Sequence, residues 1–333
     1  MPQRIENPMS KAHPEFIERM KALLSNERDY ELFCEYCNKP TVNAIRCNTI
    51  KISVKELKAR LEKKWKILQP FKKEYPEIMV VESNLLPGEL GKAEEHILGY
   101  YYIQEISSMM PILALKPDEN DIFLDIAAAP GSKTTQSAAM MNNKGTIIAN
   151  DLQISRIVSL STNLQRCAAT NTIITQMDGR ELCKKLNNIN PKFRFDKILV
   201  DAPCSGEGTI RSSPRTALNF SENIIKTLGG IQKSLLIKSL QVLKINGELV
   251  YSTCTHAPEE NEAVISHIFE NYPEGIKLED IKLPLNFKAR QGITEWKNIK
   301  FHKDVKKCAR IYPQDNDTEG FFIAKLKKVG EIN

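Results

Sequence analysis

Two cysteines and an aspartate stand at the predicted ends of two buried strands, where together they could perform nucleophilic chemistry. Asp201 and Cys204 lie in the run Asp-Ala-Pro-Cys-Ser-Gly-Glu-Gly, which follows a predicted strand over Lys197–Val200. Cys254 follows a second predicted strand over Glu248–Ser252. In an open α/β sheet, ligands bind in the crevice outside the carboxyl ends of the strands. The three side chains are therefore candidates for a single site. Taken singly, each cysteine could also be a small buried hydrophobe.

A turn of small residues near the first strand of the same region could receive a cofactor. The sequence Asp-Ile-Ala-Ala-Ala-Pro-Gly-Ser-Lys runs from Asp125 to Lys133, and such a turn lets a ligand approach the backbone at a helix N-terminus. It matches neither the dinucleotide fingerprint nor the complete phosphate-binding loop. Asp151 and Asp178 end the next two predicted strands, where a carboxylate can bind ribose hydroxyls. The set fits an adenosine-containing ligand with little phosphate, such as S-adenosylmethionine, although each acid alone could be a surface or N-cap residue.

The order of predicted elements indicates how these residues are positioned. From residue 121, strands and helices alternate, which is typical of a doubly wound, mostly parallel α/β sheet. The predicted strands are Ile122–Ile126, Thr146–Asn150, Thr172–Gln176, Lys197–Val200, Glu248–Ser252 and a last, antiparallel strand over residues 320–326. The predicted helices cover about residues 134–141, 155–167, 179–186, 222–243 and 257–271.

The first third of the chain predicts a second, smaller unit. A strand over Val42–Ile52, a helix over Val54–Lys64 and two short strands at Ile67–Leu68 and Ile78–Val81 follow one another. This order suggests an α+β module of ferredoxin-like topology, which RNA-binding domains share with many unrelated domains. We therefore expect a helical lead over residues 1–41, the small module over 42–116 and the α/β domain over 117–333.

Composition excludes several classes of protein. The 333 residues suffice for two domains, and no apolar run is long enough to span a membrane. The first residues lack the apolar core of a signal peptide, and 8 scattered cysteines are typical of a reducing cytosol. Cys34 and Cys37 form a lone Cys-x-x-Cys in a helical context, which favours a helix face over a metal or redox site.

Charge alone is weak support for a nucleic-acid partner. The formal net charge is +6, which is mild. A basic cluster lies between Lys58 and Lys73, with Arg60 among its members. A solvated face is the other interpretation of that cluster.

Several segments resemble the Sun/Fmu family of RNA cytosine-5 methyltransferases. They are Ile45–Thr49, Tyr102–Ser108, Ala127–Lys133, Asp201–Gly208, Tyr251–Cys254 and Pro258–Glu262. The resemblance covers nearly the whole chain, and the two cysteine motifs together are highly specific. Ser132 stands where the family usually has a second glycine before the motif lysine, and Ala127 stands where it usually has a cysteine. Both changes are small.

The resemblance implies a role for each motif. S-adenosylmethionine would be bound by Ala127, Ala128, Ala129, Pro130, Gly131, Ser132, Lys133, Asp151, Arg156 and Asp178. Asp201 would lie between cofactor and base, Cys254 would be the nucleophile, and Cys204 would help to release the product. Arg46 and Asn48 would contact RNA, with Arg46 and the basic cluster touching phosphates.

The same resemblance sets the expected partners. The substrate in compact relatives is often tRNA, so we expect tRNA, with rRNA as the alternative. We expect no metal, no membrane and no obligate protein partner, and a monomer in the cytoplasm.

The chemistry of cytosine explains why these residue types occur together. Carbon 5 of cytosine is too weakly nucleophilic to take a methyl group directly, whereas a thiolate that adds at carbon 6 turns the ring into an enamine. Cys254 would supply that thiolate, and Asp201 is placed to neutralise charge at ring nitrogen 3. The base must also be flipped or unstacked, which costs less in a loop than in a duplex.

Other function classes fit the motifs less well. An amino-group methyltransferase would carry Asp/Asn-Pro-Pro-aromatic where this chain has Asp-Ala-Pro-Cys. A DNA cytosine methyltransferase has its nucleophile in a Pro-Cys pair, which Pro203-Cys204 resembles, but it gives no reason for Cys254. A non-catalytic RNA-binding or ribosome-assembly factor would not need both cysteines and Asp201.

Overall fold

The structure is a computed structural model and describes residues 8–332. Two helices lie at the start of this range. After a 3-10 turn at Pro8–Lys11 come α1 (Pro14–Leu23) and α2 (Glu27–Asn38). The Asn26 side chain accepts the backbone N–H of Asp29 and so caps α2. The argument against a signal peptide rests on residues 1–7, which lie outside the described range.

The small module has the predicted topology. Its elements are β1 (Ala44–Cys47), α3 (Val54–Leu61), β2 (Ile67–Leu68), β3 (Ile78–Val81), α4 (Glu89–Lys92), α5 (Glu94–Ile97) and β4 (Tyr101–Ile103). The strands lie in the order β2-β3-β1-β4, and all neighbours are antiparallel. This is the strand order of a ferredoxin-like β-α-β-β-α-β unit, so the predicted fold of the module is confirmed.

The first strand of the module is shorter than predicted and buried along its whole length. β1 ends at Cys47 because Asn48 turns the chain: its carbonyl accepts the N–H groups of Lys51 and Ile52. All four residues of β1 are buried, so no position of the strand faces solvent. A central strand that is covered on both faces has no solvent side.

The larger unit follows directly. Its elements are α6 (Ile106–Leu115), β5 (Ile122–Asp125), α7 (Ser132–Met140), β6 (Thr146–Asp151), α8 (Ile154–Cys167), β7 (Thr172–Gln176), α9 (Gly179–Ile189), β8 (Phe195–Asp201), α10 (Arg215–Leu218), α11 (Glu222–Gln241), β9 (Leu243–Thr253) and α12 (Glu262–Asn271). The strands β9-β8-β5-β6-β7 are neighbours in that order and all parallel. The doubly wound sheet is thus confirmed, and its strand order reverses between β5 and β8, where such sheets bind ligands.

Antiparallel strands complete the large sheet. They belong to the last elements, β10 (Ile276–Glu279), β11 (Arg290–Gln291), β12 (Glu295–Trp296), β13 (Ile299–Lys300), β14 (Ala309–Ile311), α13 (Pro313–Asn316) and β15 (Phe321–Lys328). β15 runs antiparallel to β9, as predicted. Because β15 lies beside β9, the residues just before it reach the carboxyl end of the parallel strands.

The helix that was expected from residue 257 begins at Glu262 instead. The preceding turn is held by Asn261, whose Oδ1 accepts from Thr253 Oγ1 at 2.6 Å and whose Nδ2 donates to the Thr255 carbonyl at 3.0 Å. These bonds compete with helix formation and fasten the turn to the loop that carries Cys254.

Apolar layers cover both faces of the large sheet. On one face α6 packs through Met109 and Leu113 against Phe123, Leu199 and Val250. The first two helices pack elsewhere, against Ile210 and Tyr312 near the C-terminal part of the chain. Among residues 8–332, no helix combines the length and the apolar character that crossing a bilayer requires.

A buried ion pair joins α12 to β14. Arg310 Nε and Nη2 donate to the two carboxylate oxygens of Glu262, each at 2.6 Å. Arg310 is 2% exposed and Glu262 is fully buried. Because neither side chain reaches solvent, each charge is stabilised by the opposite charge of its partner.

Replacing Glu262 by glutamine should therefore lower the free energy of unfolding by roughly 3–5 kcal/mol, since the guanidinium loses its buried counter-charge. Urea unfolding measures the loss. The matched control is Glu31→Gln, which breaks an exposed pair with Arg28 and should cost less than about 1 kcal/mol. Equal, small losses in both variants would contradict a structural role for the buried pair.

Candidate active site

The two cysteines of the predicted site lie in contact. Cys204 follows β8 and Cys254 follows β9, and their Sγ atoms are 3.1 Å apart. The backbone N–H of Cys254 also donates to Cys204 Sγ at 3.3 Å. Parallel pairing of the two strands, with Asp201 opposite Ser252, brings both loops to the same edge of the sheet. The prediction that they form one site fits this geometry.

The surroundings of Cys204 favour its protonated thiol form. Its hydrogen bond with Cys254 and its burial raise the pKa of Cys204 well above the usual range. A thiol at this position can donate its S–H to the neighbouring sulfur. It would then stabilise negative charge on Cys254, which is the charge a nucleophilic thiolate carries.

Asp201 is held from two sides at the end of β8. Lys133 Nζ donates to its Oδ2 at 2.7 Å, and Ser252 Oγ donates to its Oδ1 at 2.7 Å. Lys133 also donates to Ser108 Oγ at 3.1 Å. The lysine of the small-residue turn is thus directed at the aspartate, so it connects the turn with the strand that carries the acid.

A buried glutamate holds the Cys204 loop in place. Glu260 Oε2 accepts the backbone N–H of Ser205 at 3.1 Å and Gln232 Nε2 at 2.7 Å. Gln232 donates in addition to the Pro203 carbonyl at 2.9 Å. The Pro258–Glu262 motif therefore fixes the backbone on both sides of Cys204, a role that its sequence did not reveal.

The small-residue turn needs its glycine. Gly131 has a φ of +103°, and a Cβ there would stand 3.0 Å from Leu160 Cδ1. α7 begins at the next residue, so the turn delivers the chain directly into a helix N-terminus. The left-handed φ and the contact with Leu160 on α8 therefore both favour glycine at this position.

Asp151 lies at the end of β6 and faces this turn. Its oxygens accept the backbone N–H groups of Ala129 at 3.2 Å and of Gln153 at 3.1 Å, and Arg156 Nη1 lies 3.4 Å from Oδ2. The carboxylate therefore ties β6 to the turn. Arg156, on α8, lies at the same place.

The sequence allowed Asp178 to be a helix N-cap or a cofactor ligand. It is the N-cap of α9, where its Oδ1 accepts the backbone N–H of Arg180 at 2.8 Å. The hydrogen bond from the Arg180 side chain lowers the pKa of Asp178. It also lines a cavity together with Asp151.

Two adjoining cavities meet at the cysteines. The first, of about 470 Å³, extends from the small-residue turn to the module and is lined by Asp125, Lys133, Asp201, Cys254 and Phe321. The second, of about 350 Å³, is lined by Asp151, Asp178, Pro203, Cys204 and Cys254. Residues 127, 129, 156, 201, 202 and 254 border both. A molecule in one cavity can therefore touch a molecule in the other at Cys254 and Asp201.

The second cavity has the chemistry that a nucleoside cofactor needs. Carboxylates at Asp151 and Asp178 can accept hydroxyl and amino groups, and Ala127 and Ala129 are too small to fill the cavity. These observations fit S-adenosylmethionine, whose nucleoside end carries such groups. Ala127, Ala129 and Arg156 line both cavities, whereas Ala128, Pro130, Ser132 and Lys133 line only the first and Gly131 lines neither.

Three carboxyl groups of the first cavity escaped the sequence-based assignment. Burial raises the pKa of Asp125 and of Glu319 to about 7 in each case, and Glu105 lines the same cavity. Glu319 Oε1 accepts the backbone N–H of Ser212, while its own N–H donates to Glu105 Oε1 at 3.2 Å. Glu105 lies in a segment that the family resemblance covers, but Glu319 is brought there only by β15.

The prediction that Arg46 and Asn48 contact RNA does not fit their positions. Arg46 is 3% exposed and Asn48 is 2% exposed. Asn48 Nδ2 donates to the carbonyls of Gly99 and Cys167, at 2.9 and 2.8 Å. Arg46 donates to Ser132 and Thr135 on α7. Both side chains join the module to the large unit: Nη1 and Nη2 of Arg46 and Nδ2 of Asn48 donate to protein acceptors, while the buried Arg46 Nε has no partner among the described residues.

The basic cluster of the module is partly neutralised. Lys58, Arg60, Lys64 and Lys66 each pair with a glutamate. Among the described residues, Lys63, Lys72 and Lys73 take part in no such pair and are exposed. Within the cluster, these three lysines offer the most available charge, and Lys72 and Lys73 are adjacent in the chain.

Cys34 and Cys37 lie in α2. Both belong to the apolar cluster that contains Phe16 and Phe33. Across residues 8–332, no group of histidine, cysteine or acidic side chains is arranged to hold a metal ion. The helix-face interpretation agrees with this position.

Comparison with protein families identifies two matching segments. The family described as 16S rRNA methyltransferase RsmB/F matches residues 112–327. The N-terminal domain of 16S rRNA methyltransferase RsmF matches residues 13–106. S-adenosylmethionine is the cofactor of this family.

Curated relatives agree with the family assignment. Ribosomal RNA small subunit methyltransferase F of Vibrio cholerae is 39% identical over 320 residues, which is 95% of this chain and 64% of the relative. The protein of the same name from Psychromonas ingrahamii is 39% identical over 317 residues, 94% of this chain and 62% of the relative. The chain thus spans less than two thirds of the length of these relatives.

Two solved structures from Pyrococcus horikoshii share the whole architecture. A methyltransferase homolog protein superposes with a TM-score of 0.78 at 34% identity, covering 95% of this chain and 99% of that chain. NSun6 with SFG, an analogue of S-adenosylmethionine, superposes with a TM-score of 0.81 at 26% identity, covering 96% and 100%. The chain belongs to the RsmB/F family of methyltransferases.

Proposed function

We propose that this protein methylates carbon 5 of a cytosine in RNA, with S-adenosylmethionine as methyl donor, through a covalent bond between Cys254 and carbon 6. The observation that carries the proposal is the 3.1 Å contact between Cys204 and Cys254 at the border of two cavities that Asp201 also lines. One cavity suits the cofactor and the other suits the base. Transfer of labelled methyl from the cofactor to carbon 5 of RNA cytosine tests the activity.

The first chemical task belongs to Cys254 and Asp201. The Cys254 thiolate adds to carbon 6, and the electrons displaced from the carbon 5–carbon 6 double bond move toward ring nitrogen 3. Asp201 balances them by relaying to nitrogen 3 a proton that comes from Lys133, whose Nζ donates to Asp201 Oδ2 at 2.7 Å. S-adenosylmethionine supplies a methyl group on a positively charged sulfur.

The second task is release of the product. Once the methyl group is on carbon 5, nitrogen 3 returns its proton through Asp201 to Lys133. Carbon 5 then loses its own proton, the ring double bond re-forms, and the bond between sulfur and carbon 6 breaks with its electrons returning to Cys254. The proton from carbon 5 is the one net proton that the reaction releases. Cys204, kept as a thiol by its raised pKa, donates to the departing Cys254 sulfur and so favours the break.

Small-subunit rRNA is the substrate that we propose. The relatives that span most of this chain are named as ribosomal RNA small subunit methyltransferases, and they lend no support to the expected tRNA. The module contributes Val42, Asn43, Ala44 and Ile103 to the first cavity, so RNA that presents its base there would lie against the module. A cytoplasmic, monomeric state without an obligate protein partner stays a prediction.

Bisulfite sequencing of RNA from a deletion strain identifies the target. The proposal predicts that one or more cytosines of small-subunit rRNA lose the modification, and that the gene on a plasmid restores it. Loss in tRNA alone, with rRNA unchanged, would contradict the proposed substrate while leaving the chemistry intact.

The two cysteines should fail at different steps when each is changed to alanine. Cys254→Ala should form no covalent adduct, because no thiolate reaches carbon 6. Cys204→Ala should still attack and then stall with RNA attached through Cys254. A denaturing gel separates these cases, since only a covalent complex survives it.

The double variant is the control for that experiment. With RNA and cofactor, Cys204→Ala should give a slow, nuclease-sensitive band that the double variant lacks. An adduct in Cys254→Ala would reverse the two roles. No adduct in either variant would leave the covalent mechanism without support.

Loss of the Asp151 carboxylate should weaken cofactor binding. Asp151→Ala should raise the dissociation constant for S-adenosylmethionine by about tenfold or more, because hydrogen bonds to a charged group contribute roughly 1.5–3 kcal/mol. Calorimetry measures this constant, and RNA affinity should hardly change. Asp118→Ala, at an exposed position, is the control. Normal cofactor binding by Asp151→Ala would refute the assignment.

Charge reversal at Lys72 and Lys73 should weaken RNA binding and flatten its salt dependence, since each phosphate contact releases counterions. Filter binding at several salt concentrations gives the slope. Lys184→Glu with Lys185→Glu, two exposed lysines of α9, makes the same charge change on another element. An unchanged slope in the Lys72 and Lys73 variant would leave the solvated-face interpretation standing.

A further inference from the structure

Arg46 is a buried cation whose hydrogen-bond partners are all neutral. Its Nη1 donates to the Ser132 carbonyl at 2.9 Å and to Gln104 Oε1, and its Nη2 donates to Thr135 Oγ1 at 3.0 Å. Among residues 8–332, no carboxylate forms an ion pair with it. A buried arginine without a counter-charge is costly, so its retention calls for a function beyond packing.

The charge persists at neutral pH. Burial lowers the pKa of Arg46 to about 10, which still leaves the guanidinium protonated. It lies against the Tyr102 ring, 5.6 Å from the centroid. The positive charge is therefore fixed in the interface between the module and the first turn of α7.

The acceptors of Arg46 belong to the cofactor turn. Ser132 opens α7, directly after Gly131. Thr135 Oγ1 lies 2.8 Å from the Gly131 carbonyl and 3.0 Å from the Ser132 carbonyl. Arg46 thus contacts the Ser132 carbonyl directly and reaches the Gly131 carbonyl through Thr135.

A second set of contacts at the same interface binds the carbonyl of Pro130, the residue before Gly131. Asn163 Nδ2 donates to the Pro130 carbonyl at 2.9 Å and to Tyr102 Oη at 3.2 Å. Tyr102 belongs to the module, as does Arg46. The three carbonyls of Pro130, Gly131 and Ser132 are therefore all turned toward groups that lie at or beside the module.

We propose that Arg46 is a positioning residue of the cofactor site, which holds the turn from Ala127 to Lys133 in its binding shape from the neighbouring module. Because these carbonyls are bound on the module side, the turn keeps one shape, and the N-terminus of α7 that follows it favours an anionic group. S-adenosylmethionine carries one carboxylate, so a fixed cation behind that turn favours its binding. The inference rests on the proposed function, since it assumes that cofactor.

Arg46→Met tests the role, because methionine keeps a long apolar stem and loses every donor. Calorimetry should show a dissociation constant for S-adenosylmethionine that rises about tenfold or more, as expected for lost charged hydrogen bonds. RNA affinity should stay within about twofold in filter binding, and KM for the cofactor should rise more than KM for RNA. Arg46→Lys should recover part of the cofactor affinity, because it restores one cationic donor.

Asn48→Ala is the matched control. Asn48 joins the same module to the same unit, but it does so at Gly99 and at Cys167, the end of α8, away from the cofactor turn. Its loss should lower thermal stability and leave cofactor affinity within about twofold of wild type. Should Arg46→Met fail to fold, Thr135→Val removes one Arg46 acceptor and should still weaken cofactor binding.

The outcomes separate the inference from the function on which it rests. Absence of S-adenosylmethionine binding in wild type contradicts the proposed function, whereas the ratio of variant to wild-type affinity tests Arg46. Normal cofactor binding by folded Arg46→Met would overturn the inference, as would an equal loss in Asn48→Ala. A loss of RNA affinity alone would instead assign Arg46 to phosphate contact.

Discussion

The ion pair between Lys133 and Asp201 is the contact on which the rest of the site depends. It crosses the point where the strand order of the large sheet reverses, and it joins α7, which follows the small-residue turn, to β8, which precedes the loop that carries Cys204. Ser252 on β9 binds the same carboxylate from the other side. Three elements are thus fixed to one another at the place where a methyl group would pass, which is the preorganisation that such a reaction requires.

Buried acids hold the loops around that ion pair. Glu260 fixes the backbone of Ser205, and Glu207 accepts from Thr255 Oγ1, which in turn contacts Ser205 Oγ. Burial raises the pKa of Glu260, and raises that of Glu207 to about 7. With its pKa at about 7, Glu207 carries less than a full negative charge at neutral pH. The hydrogen bonds of these two acids hold the loops that carry Cys204 and Cys254.

The sequence predicted those features that follow from local pattern. Alternation of strands and helices predicted the parallel sheet, and strand ends predicted that Asp201, Cys204 and Cys254 would meet. The local pattern could not predict which long polar side chains are buried. Arg46 has the residue type of a phosphate ligand, but the docking of the module against the large unit removes it from solvent. Glu319 reaches Glu105 only through the antiparallel return of β15, a pairing between distant parts of the chain that no local period encodes. The backbone carbonyl of Asn48 ended β1 by accepting two N–H groups of a turn, and side-chain hydrogen bonds of Asn261 delayed α12.

The central claim is that Cys254 forms the bond to carbon 6 of cytosine. RNA that contains 5-fluorocytidine tests it most directly in the unaltered protein, because fluorine at carbon 5 cannot leave as a proton does and the adduct is trapped. After incubation with cofactor, protease and nuclease digestion followed by tandem mass spectrometry locates the attached nucleotide. The account predicts a methylated fluorocytidine nucleotide on the peptide that contains Cys254. The same nucleotide on the peptide that contains Cys204, or its absence from both, would contradict it.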